Sequence, residues 1–427
     1  MRRTLFTVVA ALLVTETTVA LRGLVLTSHA VASVRLTSVA HWSLEAQRAI
    51  VPPPAGVGNK FPGEAAVYMA IVHVAMYDAA VAIQGGYRPY AISLAAPADT
   101  SPEAAIAAAA HRVLVALLPT QRGDVDNRYA EYVSKLPDNT AKTNGIAVGE
   151  RVAAGIVAMR AADGRNADPK YIQQPPPGPG VFEPDSRGPV LGIRLSRIKP
   201  LALDSPWQFR PDGPTPLTSQ EYATDFEEVK RLGRFDSTAR TDSQTIDALF
   251  WTDHDLRQWN EGLLRLAADR GLDLVQTARM LAMTHVSGGD AMIACFDAKY
   301  HYMFWRPAVA IPMADTDANT ATGPDATWRP LRATPNFPEY PSAHACHSSA
   351  VVEALSAFLG TDEVHFSLAS EVTGTTRKHS HLSDVVKDVE QARVLVGFHF
   401  RNSDLEGSNL GRNVARFVIG RFSRPRD

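Results

Sequence analysis

Cysteine is nearly absent: two residues in 427, Cys295 and Cys346. That scarcity excludes a disulfide-rich scaffold and a four-cysteine zinc site. No H-E-x-x-H helix occurs, so the common catalytic zinc motif is missing as well. Charge of either sign is not in excess. Lys and Arg total 43 against 45 Asp and Glu, for a net charge of −2. Without a basic stripe, no nucleic-acid partner is expected. There are no heptads and no repeat of 20–50 residues, which excludes coiled coils and solenoids. Beyond the N-terminus no run reads as long and apolar enough for a transmembrane helix, so no stable membrane insertion is expected. Strand-like alternation is scarce too.

What is present is an ordinary globular composition, 45% hydrophobic and 21% charged, long enough to bury a sizeable core. Residues 1–32 read as a signal peptide. Arg2-Arg3 precedes the apolar run Leu5–Val14, and Ala30-Val31-Ala32 offers an A-x-A-like cleavage site. Thr18-Val19-Ala20 is a second possible cut, the paired arginines suit a twin-arginine route, and a frayed N-terminal helix is the plain alternative. The expected location is therefore secreted or periplasmic. Export permits a Cys295–Cys346 disulfide; two buried free thiols are the open alternative.

The fold class expected is all-α, two helical-bundle halves. The N-terminal half spans 33–172, with helices over Gly63–Ile83, Pro102–Leu118 and Asn144–Ala162. Residues 173–217 hold eleven of the 29 prolines, a density that excludes regular helix and marks a connecting segment. The C-terminal bundle spans 218–427. Its helices are expected over Ser219–Leu232, Ser243–Trp251, Leu272–Phe304, His344–Leu359, Leu382–Val396 and Asp404–Phe422. The third is apolar nearly all round, and Gly288-Gly289 is expected to bend it.

Eight of the 13 histidines lie from His285 onward, which directs attention to this second half. Three segments there carry the chemistry. In Lys299-Tyr-His-Tyr-Met-Phe-Trp-Arg306-Pro307 the two cations are seven apart, so on one helix they share a face. Among Phe296, Phe304 and Trp305 they need an anion. In Phe337-Pro-Glu-Tyr-Pro341-Ser342-Ala343-His344 a helix start presents free amides and a positive dipole end, a hydroxyl, and a histidine placed to deliver a proton. A simple proline–serine cap is the bland alternative. In Arg393-Val-Leu-Val-Gly397-Phe398-His399, Gly397 can release the backbone from helical geometry and turn His399 toward the same pocket. Together these put a lysine, two arginines, a helix N-terminus and two histidines around one oxyanion.

This ordered trio, over Lys299 to Asp404, resembles the vanadium-dependent haloperoxidases and the related type 2 phosphatidic acid phosphatases and bacterial acid phosphatases. Weaker similarity to bacterial haloperoxidase-like proteins extends to Ala75-Met-Tyr-Asp78 and Phe250-Trp-Thr-Asp253. The resemblance implies vanadate as cofactor, its oxygens bound by Lys299, Arg306, Arg393, Ser342 and the amide of Ala343. It implies His399 as the metal ligand and, with the acid–base residue His344, one of two catalytic histidines. Phe337, with Phe296 and Trp305, would line a halide pocket; ordinary core aromatics is the competing account of each. Halide, hydrogen peroxide and a small organic acceptor are the implied partners, and a homodimer is expected because relatives are often dimeric. Ala343 departs from the family's usual glycine, and Ala392 from its usual serine. Asp404 stands one position later than the acidic residue of the phosphatase pattern. Asp290 and Asp297 are candidates for the acidic partner of His344. Phosphate is near-isosteric with vanadate, so the rival function is phosphomonoester hydrolysis through a phosphohistidine at His399. A non-catalytic anion-binding protein is the third class.

Overall fold

The computed structural model describes residues 37–52, 60–186 and 188–422. The apolar run Leu5–Val14 and the candidate cleavage sites lie outside the described residues. Thirteen α-helices and one two-stranded sheet occur among the described residues, consistent with an all-α architecture.

The first half contributes α1 (Ser38–Ile50), α2 (Pro62–Gln84), α3 (Pro102–Leu117), α4 (Arg122–Ser134) and α5 (Thr140–Met159). Thr37, Ser101 and Asn139 cap α1, α3 and α5 by accepting amide hydrogen bonds, the signature of these short polar residues at helix starts. Helix α2 is long and apolar enough to cross a membrane, contrary to the expectation that no such run exists. It is instead almost wholly buried, packed on α3 and on a helix of the second half.

The second half contributes α6 (Gln220–Leu232), α7 (Asp242–Phe250), α8 (Asp255–Asp269), α9 (Leu274–Tyr302), the one-turn α10 (Pro307–Ala310), α11 (Ala343–Leu359), a hairpin, α12 (Leu382–Leu395) and α13 (Arg401–Phe422). Asp273 and Gln276 form a capping box that starts α9. Helix α9 is the central element, in contact with α2, α11 and α13. One continuous apolar core joins helices from both sides of the proline-rich segment. Across it runs a buried polar network. Ser43 hydrogen-bonds His73 at 3.1 Å and Asn260 at 2.8 Å, Asn260 meets His285 at 3.2 Å, and the two imidazoles stack at 4.5 Å.

Helix α9 continues through Gly288 and Gly289. A Cβ on Gly288 would sit 2.7 Å from the His347 ring, and one on Gly289 would press on α2, so these glycines permit close helix approach. Among the described residues strand structure is limited to one hairpin, in which β1 (Glu363–Ser370) pairs antiparallel with β2 (Thr375–His381). Val364, Phe366 and Leu368 point inward from β1, whereas β2 carries no large apolar residue. One expectation needs correction: Lys299 and Arg306 do not share a helix face. The chain leaves α9 at Met303 (φ 51°), and Arg306 is extended (φ −87°, ψ 154°), as residues preceding proline prefer.

The proline-rich segment wraps α9. Asp290 accepts amide hydrogen bonds from Leu201, Ala202 and Leu203 at 2.7–3.0 Å. The Leu191 amide donates to the Asn336 carbonyl at 2.9 Å. That path brings Leu191 to the mouth of the candidate site.

Candidate active site

Four elements converge on a cavity of about 530 Å³. Ala343 and His344 at the start of α11, Arg393 near the end of α12 and His399 in the following turn line it, and Lys299 on α9, Arg306 in the turn after α9 and Ser342 are buried nearby. Each predicted oxyanion-binding residue is brought to this region and is buried.

The cations are held by carbonyls. Lys299 Nζ donates to Pro338 O at 3.0 Å and Glu339 O at 2.7 Å. Arg306 Nε donates to Phe337 O and Nη1 to Phe398 O, both at 3.0 Å. Arg393 Nη1 donates to Trp251 O at 3.0 Å. Aromatic faces cover the cations: Phe337 lies 5.1 Å from Lys299 Nζ and 4.8 Å from the Arg306 guanidinium, and Phe398 lies 4.8 Å from that of Arg393. Burial pulls Lys299 down to about 8, Arg306 to about 9 and Arg393 to about 10. The acidic groups nearby balance only part of this charge. Burial pushes Asp404, which sits beside Ser342 and Arg393, well above the carboxylate range. It pushes Glu339 up to about 7 against the opposing pull of Arg306.

Glu339 organises His399. His399 Nδ1 lies 2.8 Å from Glu339 Oε1, which also accepts from the Phe400 amide at 3.1 Å. Glu339 Oε2 accepts from Ser403 Oγ at 2.6 Å. With donors on both oxygens, the carboxylate takes the proton-bearing Nδ1 and leaves Nε2 as the acceptor. Arg306 Nη1 donates to that Nε2 at 3.2 Å. Burial first, then the neighbouring Arg306 and Lys299, holds His399 well below an ordinary histidine. Gly397 (φ 80°) makes the turn that aims it, as its sequence position suggests.

His344 is the second residue of α11 and lines the cavity. Burial, with Arg393 adding to it, holds its pKa down at about 3, so it is neutral near pH 7. The amides of Ala343 and His344 open the helix ahead of its first internal bond, Cys346 N–H to Ser342 O at 3.0 Å. The Ser342 hydroxyl makes no capping bond to the helix it starts.

Phe337 and Phe296 line the cavity as expected. Trp305 does not: it packs with Tyr222, Phe226 and Tyr340 in a separate apolar cluster. Its position beyond the end of α9 turns it away. Neither proposed acidic partner touches His344. Asp290 is saturated by three amides, and Asp297 pairs with Arg210 at 2.7 Å. The acid that the sequence analysis missed is Asp255, the first residue of α8. It is fully buried, lines the cavity, and its Oδ2 lies 3.2 Å from Nδ1 of His347, one turn after His344. Glu339 lies inside the Phe337–His344 motif, and nothing in that spacing signals that it reaches His399, 60 residues on. The two cysteines are buried free thiols, with Cys295 Sγ 3.6 Å from Pro341 O.

The donor set fits a tetrahedral or trigonal oxyanion. Arg306 Nη2, Arg393 Nε and His344 Nε2 are buried and have no partner within the protein. Buried polar groups are ordinarily satisfied, and these are two guanidinium donors and an imidazole beside His399. A group that ligates through one imidazole and offers several anionic oxygens satisfies them together.

The structure is similar to that of a bacterial vanadium-dependent iodoperoxidase (TM-score 0.72, 22% identity, 91% of this chain and 97% of the other). It is also similar to a bacterial vanadium-dependent chloroperoxidase in its holo form (TM-score 0.67, 16% identity, 88% and 95%) and in its apo form (TM-score 0.68, 15%, 86% and 95%). No curated protein matches the chain in sequence. Residues 279–427 match the family model described as the VCPO second helical-bundle domain. The matched region contains Lys299, Arg306, Ser342, His344, Arg393 and His399, and the chain as a whole carries the fold of these bacterial vanadium-dependent peroxidases.

Proposed function

We propose that the protein is a vanadate-dependent haloperoxidase, oxidising halide with hydrogen peroxide to a hypohalous-acid equivalent that halogenates an organic acceptor. The observation that carries this reading is the set of buried side-chain nitrogens without a protein partner, Arg306 Nη2, Arg393 Nε and His344 Nε2, around His399. When bound, vanadate supplies Lewis-acid activation of peroxide. The chain's own residues do the rest. Lys299, Arg306 and Arg393 neutralise the oxygens, with arginine forks giving directional bonds. Ser342 and the Ala343 amide add donors at the helix N-terminus. Glu339 orients His399 as the ligand. Neutral His344 accepts a proton at Nε2 from peroxide and returns it to the leaving oxygen. Phe61, Leu191, Phe296, Phe337 and Phe398 give the cavity apolar walls, suited to an organic acceptor and to excluding water. The chain is read as exported by its N-terminal signal, in keeping with a freely diffusing oxidant kept outside the cell.

The test uses phosphate-free protein with and without vanadate. Peroxide-dependent bromination of an acceptor and hydrolysis of an aryl phosphate are followed in parallel. Bromination that needs vanadate and is lost in His399→Ala is the expected result. Aryl phosphate hydrolysis without vanadate, and no bromination with it, assigns the site to phosphomonoester hydrolysis instead.

A further inference from the structure

Met292 lies on α9, four residues before Phe296 and seven before Lys299, so the three side chains share one helix face. It is 1% exposed, yet it borders the active-site cavity and is the only sulfur-bearing residue among the described ones that do. Met283, on the same helix, is also 1% exposed but does not line the cavity. Met159, at the end of α5, is 44% exposed. Bulk solvent therefore reaches Met159, the cavity reaches Met292, and neither reaches Met283.

We infer that Met292 is an oxidation site supplied from within, its thioether converted to the sulfoxide by hypohalous acid before that oxidant leaves the cavity. The inference rests on the haloperoxidase reading. The sulfur lone pair attacks the halogen, and an oxygen then replaces halide on sulfur. Thioether and hypohalous acid thus give sulfoxide, halide and a proton. Sulfur loses the electron pair that the halogen gains, and the halide returns to the substrate pool. The sulfoxide places a polar, chiral group on an apolar wall, one turn from Phe296 and about 10 Å along the helix from Lys299. Its reversal by a sulfoxide reductase would restore the wall.

The experiment uses the full chain loaded with vanadate, with bromide and limiting peroxide. Trypsin releases residues 280–299 as one peptide containing Met280, Met283 and Met292, and fragment-resolved mass spectrometry reads each sulfur. Parallel samples omit bromide, omit vanadate, or receive reagent hypobromite in place of peroxide. During turnover, sulfoxide at Met292 is expected to exceed that at Met283 and Met159 by at least about tenfold. Reagent hypobromite is expected to oxidise Met159 first. Normal bromination with Met159 oxidised first, or with Met292 no more oxidised than Met283, overturns the inference and leaves the haloperoxidase reading intact. Equal Met292 oxidation without bromide also overturns it, because the oxidant is then not hypohalous acid. Absence of any bromination overturns the haloperoxidase reading and this inference with it.

Discussion

Glu339 illustrates how much of the site is carried by a residue that does not face the cavity. Its carboxylate holds His399 Nδ1 at 2.8 Å while receiving Phe400 N–H and Ser403 Oγ. Glu339→Gln should weaken vanadate binding by about 10–100-fold, as loss of such an orienting partner does, measured by calorimetric titration. The same carboxyl gives a pH signature. Burial raises its pKa from 4.5 to about 7, so between these values the folded chain keeps a proton that the unfolded chain has lost. Stability from this group therefore falls as pH rises from about 4.5 to about 7. Thermal unfolding should show wild type losing stability relative to Glu339→Gln across that window. His344 shifts the other way: it should titrate near pH 3 in the anion-free protein by histidine-resolved NMR and rise on anion binding. Titration near 6.5 would remove its assignment as a neutral base. At this scale the sequence was informative for cations and histidines, because they occur in ordered motifs. It was uninformative for Glu339 and Asp255, whose roles arise from contacts 60 and 92 positions away in the chain.

Helix boundaries decide where these side chains go. The positions of α2, α3, α6, α7, α11 and α12 were legible within a few residues from caps, prolines and apolar runs. The end of α9 was also placed closely, at Phe304 against Tyr302, but the path beyond it was not: Met303 adopts φ 51° and the chain turns back, which sends Arg306 to His399 and Trp305 to a separate cluster. The hairpin was missed because β2 is polar throughout, although β1 alternates cleanly. The turn between α12 and α13 is the element on which His399 depends. Gly397 there has φ 80°, and an added Cβ would lie 2.7 Å from Gly233 O and 2.9 Å from Pro330. Gly397→Ala should cost roughly 1–3 kcal/mol of stability and displace His399. A lowered unfolding midpoint together with weakened vanadate binding is the expected pair of results.

On the scale of the molecule, three buried cations surround His399, Arg393 lining the cavity itself, without enough ionised carboxylate to match them. The core that holds them is assembled from helices on both sides of the proline-rich wrap. An anion that binds only the folded chain should therefore stabilise all of it, by about 2.7 kcal/mol at a hundredfold excess over its Kd, read as a raised unfolding midpoint with vanadate and, less strongly, with phosphate. That the second half carries the site was legible from the histidine distribution. That α2 and α8 help to enclose it was not, because Gly63 and Asp255 reach the cavity only through tertiary packing.

The most direct test of the central claim is vanadium NMR of vanadate titrated into phosphate-free protein. The account predicts loss of the free vanadate signal at one equivalent per chain, reversal by excess phosphate, and no loss in His399→Ala. Vanadate that stays free in the presence of the wild-type chain would contradict it.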